Sequence, residues 1–334
     1  MERYYHSRRH HMDIKITKAD GTTYTLGQYG ITVKDVIIGA VEVENEENQI
    51  QGLHGKFTAG TTYKERNISV PFTFVSENLS TYPLYRDLIY ELAYDTEPFY
   101  IQEMRRPKAQ QYEFKDTTYK DPAGTTDQYG NKTLWDSPQT DNQLSTGKRY
   151  LVTITECEEL EQSGTKGTGK MKFTTSELPF AESVGTSLDL EKDGLNYIDE
   201  PIWSYGMGLS SDPATRQYTF DITKGKSVDV YNFGNVDIDQ FNQHLILRFT
   251  FRGTPASTMK FGFNGTNCEI NLVDANVKEG DTITYQSGNY FKNGLNILTH
   301  TNYGMPVMKK GKNTLTFNKA YDIEAQVECR YYYL

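Results

Sequence analysis

The sequence contains few cysteines and no long apolar run. Its three cysteines are far apart and odd in number, and they form no CxxC pair. This pattern excludes a disulfide framework and indicates reduced thiols from a cytosolic assembly environment. No apolar run approaches the length that spans a bilayer, and no apolar segment follows the basic N-terminal residues. We therefore expect neither membrane insertion nor a secretory signal.

Positive charge is also in short supply. The chain has 35 Lys and Arg against 44 Asp and Glu, which gives a formal net charge of -9. Nucleic-acid affinity comes mainly from cations that neutralise phosphates, so this balance excludes a dedicated nucleic-acid binder. The one basic run, residues 3–11, reads as a solvated leader.

Recognisable catalytic motifs are missing as well. The glycine-rich segment 164–170 approaches a phosphate-binding loop, but Met171 stands where that motif needs Ser or Thr. The residues that follow alternate as a strand does, so a hairpin loop is the favoured interpretation. Glu156 and Glu158 would share one face of a strand, whereas a glycosidase pair must straddle its substrate, so a solvated acidic strand end is favoured.

Metal ligands are no better arranged. Asp237 and Asp239 supply too few oxygens for Ca²⁺, and a turn with exposed acids is favoured. The histidines outside the leader, His54, His244 and His300, belong to no HExxH or GxSxG pattern. We expect no enzymatic activity, no metal site and no cofactor.

What the sequence does contain is strand signal and tyrosine. The 25 Tyr residues suit half-buried sheet faces and protein interfaces, because the ring can be buried while the hydroxyl stays wet. Segments 13–17 and 67–74 alternate with period two, and Asp20-Gly21 predicts a hairpin turn after the first. Gly39, inside the Val- and Ile-rich segment 31–43, predicts a bulge or a close approach.

The second half reads as short strands separated by turns, with no helix. The predicted strands are 217–222, 227–231, 245–251, 260–263, 269–273, 282–285, 314–317 and 325–331, and the turn pairs are Asn264-Gly265, Ser287-Gly288 and Asn293-Gly294. Evenly spaced strands of this kind predict a jelly roll or sandwich.

One helix is predicted in the first half. Thr81 fits the N-cap and Pro83 the first turn, and Leu84, Leu88 and Leu92 would share one face at i, i+4 and i+8. We expect this leucine stripe to pack against a sheet.

Segment 106–147, called the polar segment below, has little apolar periodicity and is far longer than an ordinary connection. The strand-like runs that contain Ile101 and Tyr150 flank it, so these two residues are expected to be sheet neighbours. Trp135 is the expected anchor if the polar segment contacts a partner.

These patterns predict a mainly β protein of two domains. Residues 1–190, with the polar segment as an insertion, would form an N-terminal β-sandwich or split-barrel-like domain with one helix. Residues 191–334 would form a C-terminal jelly-roll β-sandwich, although Leu178-Pro179-Phe180 already resembles the end of the first domain.

The first half contains an ordered series of motifs: Gly52-Leu53-His54-Gly55, then Tyr63-Lys64-Glu65-Arg66 ahead of the strand 67–70, Leu84-Tyr85-Arg86-Asp87-Leu88, Glu97-Pro98-Phe99-Tyr100-Ile101, and Phe173 with Leu178-Pro179-Phe180-Ala181. This series resembles the distal tail proteins (Dit) of siphophages. In the second half, Gly194 and segment 308–315 are similar to the galectin-like sandwich that often ends these proteins.

The resemblance implies a structural virion protein at the distal tip of a long non-contractile phage tail. Six copies would form a ring through their N-terminal domains, between the major tail (tube) protein and the tail-tip hub. The C-terminal domains would carry baseplate or receptor-binding proteins. The long polar segment departs from the family, in which this connection is short.

A carbohydrate-binding module that aids attachment to the host cell wall is the alternative function. Trp203, Tyr205, Tyr218 and Tyr231 are the candidate stacking residues, and core packing is favoured over sugar binding for each of them. A cell-wall enzyme is a third and weaker hypothesis.

Overall fold

The computed structural model describes residues 12–49, 52, 54–105, 125–126, 132–133, 147–195, 202–204, 206–223 and 225–334. The chain divides into two compact units, the first ending at Pro179 with a short return near Ile202, and the second starting at Phe180. Among the described residues, no helix is long and apolar enough to cross a bilayer.

The first unit is built on an antiparallel sheet in which neighbours run in the order β2-β1-β6-β9-β11-β5-β3, with β4 paired to β5 and β10 to β11. Its elements are β1 Met12–Thr17, β2 Thr23–Thr25, β3 Thr32–Val33, β4 Ile37–Asn48, β5 Phe57–Val75, α1 Tyr82–Ala93, β6 Phe99–Arg105, β7 Thr125–Thr126, β8 Lys132–Thr133, β9 Lys148–Cys157, β10 Glu161–Ser163 and β11 Lys166–Thr175. A 3-10 turn, Leu26–Tyr29, follows β2.

Period-two alternation places one face of this sheet in the core. In β5, Ile68, Val70, Phe72 and Phe74 are buried while the residues between them are not, as their alternation predicted. Phe99 of β6 meets Phe173 of β11 edge to face, with ring centroids 6.0 Å apart.

Two local predictions in the first unit are confirmed. Gly21 has a φ of 87° in the turn between β1 and β2. At Gly39 the β4–β5 register shifts, and a Cβ added there would lie 2.8 Å from the carbonyl oxygen of Asn67. A bulge and a close backbone approach therefore coincide at this glycine.

The helix is confirmed, but of the predicted leucine stripe only Leu92 is buried, and Leu88 is half-buried. Leu84 is 68% exposed, and the buried side chains of α1 are Tyr82, Ile89, Leu92 and Ala93. Tyr82 packs on Phe74 of β5 with ring centroids 5.2 Å apart, so the buried face of α1 includes Tyr82 as well as Leu92.

The second unit contains two antiparallel sheets, with orders β13-β22-β15-β18-β19-β20 and β14-β21-β16-β17. Its elements are β12 Ala181–Ser183, α2 Ser187–Asp193, β13 Thr219–Asp221, β14 Ser227–Asn232, β15 Leu245–Phe251, β16 Thr258–Phe263, β17 Cys268–Asn271, β18 Thr282–Gln286, β19 Asn289–Lys292, β20 Leu295–Asn296, β21 Gly311–Phe317, β22 Ile323–Cys329 and β23 Tyr332–Tyr333, with 3-10 turns at Pro213–Arg216 and Leu298–His300.

The core of the second unit lies where the two sheets face each other. Phe249 of the six-stranded sheet lies 4.8 Å from Phe261 and 5.8 Å from Phe317 of the other sheet, measured between ring centroids. This arrangement is a sandwich, and the mainly β prediction is confirmed. The predicted turn residues Asn264, Ser287 and Asn293 all adopt positive φ.

A second helix, α2, was missed where the sequence predicted only strands. Thr186 and Asp189 form a capping box at its start. Ser187 Oγ donates to the carbonyl of Val327 at 2.8 Å and accepts from the N–H of Cys329 at 2.9 Å. Residues 180–190 therefore pack with the second unit, whereas the predicted division lies at residue 190.

Candidate assembly surface

The residues that suggested chemistry occupy ordinary structural positions. Gly164, with a φ of 61°, turns the chain between β10 and β11, so segment 164–170 is a hairpin and leads into no helix. Lys172 pairs with Glu156 at 2.8 Å and with Glu158 at 2.9 Å. The hydrogen bonds from Lys172 and Lys170 lower the pKa of Glu158, which suits an ion pair and not a general acid.

The acidic turn in the second unit is likewise tied to lysines. Asp237 accepts the N–H of Lys310 at 2.8 Å and the ammonium of Lys309 at 3.0 Å. Within the described part of the chain, no three His, Cys, Asp or Glu side chains are grouped as metal ligands.

Two of the candidate sugar-stacking residues lie in the core. Trp203 is 1% exposed and Tyr218 is 0% exposed. Tyr218 donates its hydroxyl hydrogen to the carbonyl of Tyr231 at 2.7 Å, and its oxygen lies 2.7 Å from the hydroxyl of Tyr331. A buried ring has no free face for a sugar, so neither residue is a stacking surface in this structure.

The other candidate residues are Tyr231, Tyr205 and Trp135. Tyr231 is half-buried and stacks on Phe233 at a centroid distance of 6.0 Å. Tyr205 and Trp135 lie outside the described residues, and so does most of the polar segment.

A two-stranded arm is the main exposed feature of the first unit. We define the arm as residues 41–48 of β4 and 57–65 of β5. The pairing of β5 with β11 stops at Asn67, so in the described structure the strands of the arm pair only with each other. Nearly all of their side chains are exposed.

The two faces of the arm differ in chemistry. Val43 and Tyr63 are cross-strand partners and remain 48% and 42% exposed. Successive residues of a strand point to opposite faces, so Glu42, Glu44 and Glu46 lie on the face away from Val43. Glu44 pairs there with Lys64 at 2.5 Å. We call the face with Val43 and Tyr63 the apolar face, although Asn45 and Glu47 also lie on it, and the opposite face with the three glutamates the acidic face.

Arg66 fixes the base of the arm. This side chain is only 5% exposed, and its guanidinium lies 3.4 Å from the hydroxyl of Tyr150 and 5.7 Å from the centroid of that ring. The Arg66 N–H also donates to Thr175 Oγ1 at 2.9 Å. The basic residue of the family-like motif therefore anchors the arm to the sheet.

The strands that flank the polar segment, β6 and β9, lie in the same sheet. Ile101 of β6 and Tyr150 of β9 are direct antiparallel partners, as the sequence predicted. The polar segment is thus an excursion between two strands that are already paired.

An isolated two-stranded ribbon is marginally stable in water, and unpaired strand edges readily pair with another chain. The arm combines free edges with exposed Val43 and Tyr63, so it is suited to docking on a neighbouring subunit. The arm was not predicted from the sequence, although the alternation of Val41-Glu42-Val43-Glu44 and the Thr-rich segment 58–62 are typical of such a ribbon.

The first unit matches a known protein family. Residues 19–175 match the family model of the phage tail protein RIFT-related domain. A sequence search of curated proteins finds no match. The crystal structure of the SPP1 Dit (gp 19.1) protein, described as a paradigm of the hub adsorption apparatus in phages that infect Gram-positive bacteria, matches with a TM-score of 0.59 and 11% identity, over 97% of this chain and 99% of that chain.

Two structures of the phage p2 baseplate in its activated conformation, with Sr and with Ca, also match. Each is 10% identical and covers 95% of this chain, with 97% and 98% of the other chain covered and TM-scores of 0.39 and 0.37. The similarity to the SPP1 protein therefore carries the comparison of the fold.

Proposed function

We propose a ring-forming role for this chain, which belongs to the siphophage distal tail proteins through its phage tail RIFT-related domain at residues 19–175. It is a structural protein of the phage tail. Six copies would form a ring at the distal end of a long non-contractile tail. This ring would link the tail tube protein to the tail-tip hub, and the role requires no catalysis.

The arm is the observation that supports a ring most directly. A closed ring needs a heterologous contact, in which one patch on a subunit meets a different patch on the next. The arm carries an apolar cross-strand pair, Val43 and Tyr63, and its strands have free edges, so it can extend or cover the sheet of a neighbour. Its acidic face, with Glu42, Glu44 and Glu46, would stay in solvent.

The second unit is proposed to carry baseplate or receptor-binding proteins. This assignment rests on the family resemblance and on the separate core of the second unit. Attachment through this unit leaves the arm of the first unit available for the ring.

The ring is tested with Val43→Lys in the full chain. Placing a cation on the apolar face of the arm should prevent docking, because the charge would be desolvated against a neighbour. The measurement is complementation of a phage that lacks this protein, read as the yield of infectious particles and as six-fold density at the tail tip in electron micrographs. A large loss of both is expected.

Thr62→Lys is the matched control, because it adds the same charge to the same arm on the acidic face. It should leave particle yield near the wild-type level. Wild-type yield from Val43→Lys, or tail-tip density without six-fold symmetry in wild-type particles, would contradict the proposal.

A further inference from the structure

Phe241 is an exposed aromatic ring on a firmly held loop of the second unit. Its side chain is 64% exposed. Two positions along the chain, Gln243 is 2% exposed and its side chain spans the loop. The amide oxygen of Gln243 accepts the N–H groups of Asp239 and Gln240 at 2.8 and 2.9 Å, and its amide nitrogen donates to the carbonyl of Asp237 at 2.9 Å. The fold thus orders this loop while leaving the ring in water.

The loop lies beside one end of the six-stranded sheet. A Cβ added to Gly288 would lie 3.7 Å from the Cβ of Phe241, so Phe241 packs against the turn between β18 and β19. The residue at the end of β18, Gln286, is the cross-strand partner of Ile246 in β15. Phe241 therefore borders the end of the sheet at which β15 begins.

The solvent side of this sheet carries several polar side chains, which we call the polar face, around Ile246, a residue of the same side that is only 6% exposed. Along β15, Leu247 and Phe249 point into the core, so Arg248 points outward between its partners Gln326 and Thr284. The members of the polar face used below are His244, Arg248, Thr284, Gln286, Gln326 and Glu328.

An ion-paired cluster holds three members of the polar face in place. Glu328 accepts from Arg248 at 2.6 Å and lies 3.0 Å from His244 Nε2. The side chains of Arg248 and His244 are still 34% and 30% exposed, so both keep polar atoms open to solvent. The backbone N–H of His244 donates to the buried hydroxyl of Tyr332 at 2.6 Å, which fixes the backbone at the His244 end of the polar face.

The remaining members are unused by the fold. Gln326, Thr284 and Gln286 make no side-chain hydrogen bond to any described residue, and all three lie on the side of the sheet that faces water. The polar face therefore offers amide and hydroxyl donors and acceptors next to a pre-ordered ion-paired cluster.

We propose that Phe241 and the polar face form a binding site for a neutral sugar ring of a glycan. The C–H face of one pyranose would stack on Phe241, and the hydroxyls of the sugars next to it in the glycan would bond to the carboxylate of Glu328, the guanidinium of Arg248 and the amide of Gln286. Each sugar hydroxyl both donates and accepts, which matches a row of mixed donors and acceptors. Because the ion pairs and Gln243 already order the site, little conformational entropy is lost on binding.

The charge pattern favours a neutral sugar over other ligands. The cation of Arg248 is matched by Glu328, so the site has no excess positive charge to hold a phosphate or a nucleic acid. One exposed ring is also a small apolar area for a protein interface, which usually buries about 800 Å² on each partner. This inference does not depend on the six-subunit ring proposed under the function of the first unit.

The test uses the full chain and an immobilised set of neutral oligosaccharides built from hexoses and N-acetylhexosamines, followed by titration calorimetry with the strongest binder. Wild-type protein should show saturable binding. Phe241→Ala should weaken binding by at least about tenfold, the equivalent of about 1.4 kcal/mol, and Phe241→Tyr should retain it. Val273→Ala is the control, because Val273 is 57% exposed in the same unit and follows a strand of the other sheet.

Glu328→Gln and Arg248→Met test the polar face separately from the Phe241 side chain. The thermal midpoint of each variant is measured alongside binding. Loss of binding by a variant that is still folded at the temperature of the titration is the supporting result. The proposal is wrong if no oligosaccharide binds the wild type saturably, or if Phe241→Ala binds as tightly as wild type. It is equally wrong if Phe241→Ala blocks particle assembly but leaves glycan binding intact, since the loop would then dock a protein.

Discussion

Glu328 shows how a single ionised group is tied to the stability of the second unit. Hydrogen bonds from His244 and Arg248 lower the pKa of Glu328 from 4.5 to about 2, against the opposing effect of burial. The folded chain thus holds the pKa of Glu328 below its unfolded value. The resulting stabilisation is present above about pH 4.5 and is lost as the pH falls towards about 2.

We expect Glu328→Gln to weaken the dependence of stability on pH under acidic conditions. The free energy of unfolding, measured by urea denaturation of the full chain between pH 2 and 6, should depend less on pH in the variant than in wild type. The exposed Glu279 offers a control through Glu279→Gln. Equal pH slopes for wild type and Glu328→Gln would refute this reading of the ion-paired cluster.

Gly39 is a second residue whose role depends on one close contact. A Cβ at this position would lie 2.8 Å from a backbone oxygen of Asn67, which cannot rotate away. Gly39→Ala should therefore lower the free energy of unfolding of the first unit by about 1–3 kcal/mol, as overpacking does. In the same hairpin, a Cβ at Gly60 would come no nearer than 4.0 Å to its closest neighbour, a side-chain oxygen of Glu46, so Gly60→Ala should change stability by less than about 0.5 kcal/mol. Chemical denaturation of both variants checks the difference.

At the scale of elements, α1 shows that residue spacing predicts the presence of a helix more reliably than it predicts which face of the helix is buried. Its leucines suggest one stripe, but contact with Phe74 and the neighbouring sheet buries another. Ile89→Ala should cost about 2–5 kcal/mol, because it removes a fully buried side chain. Leu84→Ala should cost less than about 0.5 kcal/mol. Similar losses for the two variants would show that α1 packs in another orientation.

The pairing of β6 with β9 leads to a prediction about the polar segment. Ile101 and Tyr150 are already partners, so a Gly-Asn turn that joins Met104 to Lys148 would close a hairpin between adjacent antiparallel strands. The thermal midpoint should change little, whereas particle assembly or docking of an adjacent tail protein should suffer. Unfolding of the shortened chain would instead place the polar segment in the core.

At the scale of the whole molecule, the two units separate two proposed tasks. The first contains the phage tail domain and the arm, and the second contains the two-sheet sandwich and the polar face. A fragment of residues 1–179 should oligomerise in light scattering when its concentration is raised, whereas residues 180–334 should remain monomeric. An oligomeric second fragment beside a monomeric first one would reverse the assignment.

The sequence by itself determined the class of fold and most of the strands, and its motifs pointed to the phage tail domain that residues 19–175 match. Backbone φ and ψ are set largely by local chemistry, so Asn264-Gly265, Ser287-Gly288 and Asn293-Gly294 marked turns before any contact was known. Period-two alternation likewise identified the buried side of β5.

Only the tertiary structure decided which surfaces are covered. Whether Leu84 is exposed, Trp203 is buried or Val43 stands in solvent depends on distant elements that pack against them, and local spacing does not encode those elements. The candidate surfaces follow the same division. The sequence pointed to aromatic rings in the second half, and packing placed Trp203 and Tyr218 in the core and left Phe241 in water, because a ring can serve a ligand only where no other part of the chain covers its face.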